Sequence, residues 1–262
     1  MSTIIAVSNE KGGVAKTTTT LSLGASLAEN GLRVLLIDLD PQSNLSIALG
    51  FEPNELQHST ADVLLDGFPL AKSILPTNTE RVDLIPGSGK MEQAEQFLPV
   101  RTNYIFGLRE ALAKAGALPY DFILLDCPPS LGAVTTNALA AANLLLIPTQ
   151  AEYFSAYALR DMMALIRRVR KDFNPKLAYR ILITLLDQRN RAHRAIREQL
   201  QQTFGAGLFE TVIEIDTRLR ESPIMGVPIT QYKPNSRGSQ QYRVLAQELI
   251  HYVEQADAQA AQ

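Results

Sequence analysis

Residues 9–20 read "NEKGGVAKTTTT", and the reading of this stretch decides the fold. A phosphate-binding loop has the form G-x-x-x-x-G-K-[ST]. Lys16 and Thr17 occupy its last two positions, whereas Glu10 and Ala15 replace the two framing glycines and an additional lysine, Lys11, precedes Gly12-Gly13. Before it runs "TIIAVSN" (3–9), a continuous apolar segment with a polar end, which predicts a strand buried on both faces. After it, "TTTTLSLGASLAENG" (17–31) predicts a helix closed by Gly31. A Gly-Gly turn between strand and helix lets successive backbone N–H groups face one hollow, to which the helix adds its positive end. Lys16 is a point charge suited to β- and γ-phosphate, and the Thr17 hydroxyl suits Mg²⁺. Ala15 is the weak point, since its methyl group occupies space that backbone normally leaves free; if the chain has already entered the helix there with negative φ, alanine costs nothing. The plainer alternative is a tight strand–helix turn with chance lysines.

Working outward, the same alternation continues. Strands are predicted at "RVLLIDLD" (33–40), "VDLIPGS" (82–88), "YDFILLDC" (120–127), "NLLLIPT" (143–149), "YRILITLL" (179–186) and "ETVIEI" (210–215). Helices are predicted at 90–98, 103–115, 132–142, 155–172, 191–204 and 239–255. Alternating elements of this length imply a doubly wound α/β fold, a mostly parallel sheet with helices on both faces. No linker or repeat interrupts it, so residues 1–255 read as a single domain, and 256–262 as a frayed tail.

Ligands of such sheets bind beyond the carboxyl ends of the strands, and two further strand ends carry suitable chemistry. In "DLDPQ" (38–42), Asp38 and Asp40 at i and i+2 project to one side, and Pro41 ends the strand. Asp40 suits a water attacking a γ-phosphate, with Asp38 nearer a metal; the alternative is a charged strand end with a turn. In "FILLDCPPS" (122–130), an apolar strand ends in Asp126, the Walker B form that holds Mg²⁺ directly or through water. A second Gly-x-Gly-Lys, "PGSGKME" (86–92), has Met91 where a hydroxyl is needed and Leu84 where the leading glycine belongs. It reads as an ordinary loop.

Composition narrows the class. With 46% apolar and 20% charged residues over 262 positions, the chain is an ordinary globular protein. No basic n-region or long apolar run opens it, and no segment approaches the ~20 apolar residues of a membrane span. One cysteine and three scattered histidines exclude an internal disulfide and a metal spacing. A cytoplasmic protein is expected. The net charge of −2 hides an asymmetry, because residues 160–243 carry 16 Lys+Arg against 8 Asp+Glu. That surplus points to a polyanionic partner.

Together these motifs resemble the ParA/MinD family of P-loop ATPases, whose deviant Walker A motif is K-G-G-x-[GA]-K-[ST]. The runs "KGGVAKTT", "RVLLIDLDPQ", "DFILLDCPPSLG", "NLLLIPTQAEYFS" and "RLRESPIMGVPITQYKPNSRG" follow the family's order over most of the chain, and the small ParA (Soj-like) branch is the nearest. The resemblance implies Mg²⁺ and ATP as cofactors, bound by Lys11, Gly12, Gly13, Val14, Ala15, Lys16, Thr17 and Thr18. Lys11 would cross a homodimer interface to the partner's phosphates, Lys16 would serve its own protomer, and Asp40 would position the hydrolytic water. Thr17, Asp38 and Asp126 would serve the metal, the two carboxylates through water.

It further implies an ATP-dependent homodimer that binds double-stranded DNA without sequence preference, sits on the nucleoid and is stimulated by a ParB-like protein. The expected DNA contacts are Arg189, Arg191, Arg194 and Arg197, three of them spaced as a stripe on one helix, together with Arg218 and Arg220. The alternative for each is solvation, or pairing with Glu198, Glu214 or Glu221. Nine residues before Glu10 leave no room for the helix-turn-helix extension of larger ParA proteins. The absence of Lys or Arg after Arg243 argues against a membrane-surface helix like that of MinD. The remaining readings are a positioning ATPase with a protein cargo, such as a carboxysome or chemosensory array, and a metabolic P-loop enzyme.

Overall fold

The computed structural model describes residues 2–152 and 155–260. Tyr153 and Phe154, within the matching run 143–155, and residues 261–262 of the expected tail lie outside the described residues. The strands are β1 (Thr3–Val7), β2 (Val34–Asp38), β3 (Leu75–Pro76), β4 (Val82–Ile85), β5 (Phe122–Asp126), β6 (Leu144–Gln150), β7 (Ala178–Leu186) and β8 (Leu208–Glu214). They form one sheet in the order β3-β4-β2-β5-β1-β6-β7-β8. Only the β3–β4 pair is antiparallel.

Between them lie α1 (Lys16–Glu29), α2 (Asn44–Ala48), α3 (Thr60–Asp66), α4 (Met91–Phe97), α5 (Gly107–Lys114), α6 (Ala133–Ala141), α7 (Ser155–Asp172) and α8 (Arg191–Phe204). After β8 come α9 (Arg218–Glu221), α10 (Ile229–Tyr232) and α11 (Arg237–Ala260).

The central strands are apolar throughout because they are covered on both faces. Alternate residues serve opposite layers. Ile5, Val7, Val34 and Leu36 pack with α1, α2, α9, α10 and α11, whereas Ala6, Leu35 and Ile37 pack with α3 to α8. In α11, Tyr242, Leu245, Ala246 and Leu249 are buried, the spacing of one helical face turned to the sheet. The Tyr242 hydroxyl lies 3.0 Å from Thr19 Oγ1 on the first turn of α1, so the last helix touches the first.

Two expectations are corrected. The final helix does not stop at Gln255 but runs to Ala260, since 256–260 contain no Gly or Pro and are rich in alanine, the best helix former. The antiparallel edge strand β3, two residues long, was not expected, because two residues offer no periodicity to read.

The chain leaves β1, visits β2 and β4 on one side, returns to β5 between β2 and β1, then crosses to β6, β7 and β8. The direction reverses at β1, and in sheets of this kind ligands bind beyond the carboxyl ends of the strands at such a point. Register aligns those ends, with Val7 opposite Asp126 and Asp126 opposite Asp38.

Candidate active site

The loop joining β1 to α1 is held by β6 and β7. Asn9 donates to Pro148 O at 2.7 Å and accepts from Lys11 N at 3.0 Å. Gln150 Nε2 donates to Gly13 O at 3.0 Å, and Thr184 Oγ1 to Val14 O at 3.0 Å. Gly12 and Gly13 are exposed, and Gly13 has φ 73°, a conformation that glycine adopts without a side-chain penalty. The backbone hollow is thus built by the protein's own contacts.

Ala15 does not meet the condition under which alanine is free of cost. Its φ of 65° and ψ of 35° are left-handed, outside the helix, although its carbonyl accepts the first helical bond, from Thr19 N at 2.9 Å. For an L-residue that conformation costs about 1–2 kcal/mol. Ala15→Gly removes the cost but gives the unfolded chain more freedom. The expected net is a stabilisation of roughly 0.5–1 kcal/mol, or about 2 °C in Tm. A thermal melt in which Ala15→Gly lowers Tm would show that the alanine methyl is needed there.

Lys16 is buried and reaches back to Lys11 O at 3.1 Å. Burial lowers its pKa, opposed by the charges of Asp126 and Asp40. Thr17 and Thr18 stand on the same first turn of α1. Asp126 is fully buried at the end of β5. Its Oδ1 accepts from Thr20 Oγ1 at 3.1 Å, and among the described residues nothing donates to its Oδ2. Burial, followed by the nearby Asp38, pushes the Asp126 carboxyl up to about 8, with the Thr17 and Thr20 hydroxyls pulling the other way. An orphaned carboxylate oxygen in a closed site costs energy unless a cation, or a water held by one, meets it. The residues present therefore fit Mg²⁺ at Asp126 and Thr17.

Asp38 behaves differently. It is fully buried, and burial pushes its pKa up to about 6. Oδ1 accepts from Asp40 N at 3.1 Å, and Oδ2 accepts from Ser46 N at 3.0 Å and Ser46 Oγ at 2.7 Å. These protein donors occupy the oxygens that the sequence reading assigned to a metal. Asp40, 7% exposed, accepts from Gln42 N through Oδ1 at 2.9 Å. Among the described residues nothing donates to its Oδ2.

Because Asp126 holds its proton to about pH 8 in the fold but releases it in the ordinary carboxylate range when unfolded, it stabilises the fold at low pH. That contribution is lost as pH rises through 8. Every tenfold difference in proton affinity between the folded and unfolded chain is worth about 1.4 kcal/mol, so the loss amounts to several kcal/mol. In metal-free protein, the Tm advantage of Asp126→Asn over wild type is expected to grow between about pH 5 and about pH 9. Parallel curves would mean that the carboxylate ionises without penalty.

Lys11 leaves the phosphate loop in the other direction. Its Nζ pairs with Glu152, just beyond β6, and donates to Oε1 of Gln150, the last residue of β6, at 3.0 Å. Neither partner was anticipated, although both lie in the matching run 143–155. The "PGSGKME" loop does follow a strand, with Lys90 paired to Asp62 at 2.9 Å, but Gly87 lies against Asp38. No sequence signal pointed to that contact.

Comparison with known proteins accords with this geometry. Residues 2–179 match the AAA domain family. The chain is 40% identical over 250 residues to the sporulation initiation inhibitor protein Soj of Bacillus subtilis, covering 95% of this chain and 98% of that one. It is 36% identical over 260 residues to the chromosome partitioning protein ParA of Caulobacter vibrioides, covering 98% and 97%. The chain belongs to the ParA/MinD family of P-loop ATPases.

A solved structure similar to this ParA/MinD chain, cobyrinic acid a,c-diamide synthase from Mycobacterium smegmatis with bound ATP analog and magnesium, superimposes with a TM-score of 0.83. It is 34% identical and covers 97% of this chain and 96% of that one. No helix among the described residues is long and apolar enough to cross a membrane.

The arginines named from the ParA/MinD resemblance fall at one sheet edge. β7 and β8 are adjacent and parallel, so the turn to α8 and the start of α9 follow neighbouring strand ends. Arg189 is exposed but forks onto Asp187, with both nitrogens at 3.1 Å. Arg191 and Arg194 are exposed on α8, where Arg194 donates to Gln188 O, while Arg197 is half-buried. Arg218 and Arg220 are exposed on α9, with Arg218 3.7 Å from Asp216. Glu214 pairs instead with Arg237, and Glu221 accepts from Tyr232.

Proposed function

We propose that the chain is an ATP-switched partitioning ATPase of the ParA type. It closes as a homodimer around ATP, binds double-stranded DNA through backbone phosphates, and moves chromosome or plasmid DNA over the nucleoid, with a ParB-like partner accelerating slow hydrolysis. One observation supports the reading: Lys16, Asp40 and an Asp126 oxygen without a partner among the described residues converge above three neighbouring strands, while a second lysine, Lys11, is held at the rim by Gln150 and Glu152.

In the proposed mechanism the loop amides and Lys16 bind the β- and γ-phosphates. Mg²⁺, held by Thr17 and Asp126, would neutralise charge on the phosphate oxygens. Asp40 orients the attacking water through its Oδ2. Lys11 leaves Glu152 and reaches the partner's nucleotide, so hydrolysis depends on the dimer. Arg189, Arg191, Arg194, Arg197, Arg218 and Arg220 contact phosphates, for which the guanidinium fork is suited. A dimer doubles that patch and raises affinity through effective concentration. ATP thereby controls DNA binding at a distance.

A DNA titration with ATP and with ADP, over several salt concentrations, tests this reading. Tight binding is expected with ATP only, with a log–log salt slope of roughly −0.9 per phosphate contacted. Arg218→Ala or Arg220→Ala should flatten the slope by about 1. Equal binding with both nucleotides, or binding indifferent to salt, would favour a protein cargo or a metabolic role.

A further inference from the structure

The surroundings of Asp38 form a connected set that the nucleotide reading leaves unused. Ser46, fully buried on α2, donates its hydroxyl to Asp38 Oδ2 at 2.7 Å and accepts from Gly87 N at 2.9 Å. Its own backbone N–H also donates to Asp38 Oδ2, at 3.0 Å. On the other oxygen, Asp38 receives Asp40 N at 3.1 Å, which bends the chain back on itself just before Pro41. The neighbouring Leu39 N is tied to Asp126 O at 2.9 Å. Gly87 presses on the carboxylate from the third side. A Cβ there would stand 2.8 Å from Asp38 Cγ and 3.0 Å from each oxygen, so glycine alone fits.

We infer that Asp38 and Ser46 are positioning residues for Asp40, clamping the exit of β2 between α2 and the 86–90 loop, and that Asp38 is not a metal-binding residue. The carboxylate takes donors from its own turn and from Ser46 on α2, with the 86–90 loop linked through the Ser46 hydroxyl, and the direction of the Asp40 amide follows from it. Because Asp40 Oδ1 is already taken by Gln42 N, the placement of its other oxygen is set by this turn. A shift of about 1 Å in a group that must hold a water costs on the order of 10²-fold in rate. The proposal rests on ATP hydrolysis at Asp40, and it assigns the 86–90 loop, outside the phosphate-binding motif, a part in that step.

Steady-state ATP hydrolysis by wild type, Ser46→Ala and Gly87→Ala, each titrated with ATP and with Mg²⁺, tests it. Ser46→Ala removes the hydroxyl link, whereas Gly87→Ala keeps every hydrogen-bonding group and displaces the carboxylate. In both variants kcat is expected to fall by about 10-fold or more, with KM for ATP and the Mg²⁺ concentration for half-maximal rate within about 2-fold of wild type. Thermal melts check that each is folded at the assay temperature. A folded variant of either kind with wild-type kcat overturns the inference. So does a rise in the Mg²⁺ requirement that restores full rate at high Mg²⁺, since that is the signature of a cation site. Wild-type protein that does not hydrolyse ATP would instead overturn the nucleotide reading itself.

Discussion

Lys16→Ala is expected to weaken ATP binding by at least about 100-fold, measured by calorimetry with Mg²⁺ present. Lys16 is buried against Asp126 and Asp40, and desolvation already lowers its pKa. A lysine in that state is compensated best by a polyanion. Truncating one partner of a buried charged hydrogen bond costs about 2–5 kcal/mol, and each 1.4 kcal/mol is about tenfold in affinity. Removing Lys16 also leaves Asp126 and Asp40 facing the phosphates with one fewer positive charge between them, which adds to the loss. Calorimetry with unchanged affinity would remove the phosphate-loop assignment.

Lys11→Ala is expected to behave in the opposite way. In the single chain Lys11 is tied to Glu152 and Gln150. An ion pair that exposed is worth at most about 1 kcal/mol, so fold and ATP affinity should stay near wild type. What should disappear is the ATP-dependent dimer on size-exclusion chromatography, and with it at least about 90% of the hydrolysis. A cationic group supplied in trans is worth about 10³–10⁵ in rate where it has been measured. Normal dimerisation by Lys11→Ala would confine this lysine to its own protomer and to the loop beyond β6.

The strands and the three convergent loops were legible because their signals are local. Continuous apolar runs reveal strands covered on both faces, and a lysine-threonine pair or an aspartate at a strand end is visible where it stands. What was not legible depends on distant partners. The left-handed turn at Ala15 follows from how the loop closes onto Asn9, Gln150 and Thr184 rather than from a preference of alanine. The setting of Asp38 depends on Gly87, 49 positions away, in a loop that reads as a failed copy of the phosphate motif. For the arginines the alternative was pairing with Glu198, Glu214 or Glu221, whereas Arg189 and Arg218 take the aspartates two positions before them and Glu214 takes Arg237.

The contact between Tyr242 and Thr19 bears on how the protein is made. The two residues are 223 positions apart, and the tyrosine is wholly enclosed. A ribosome releases α1 early and the helix that packs on it late, so the layer between them stays open through most of synthesis. Contacts of such long sequence separation are closed at an entropic cost and form late. A nascent chain broken off before α11 would lack Tyr242, Leu245, Ala246 and Leu249 from that layer and leave Thr19 without its tyrosine. The layer that encloses one face of α1 is therefore completed only by the last part of the chain to be made.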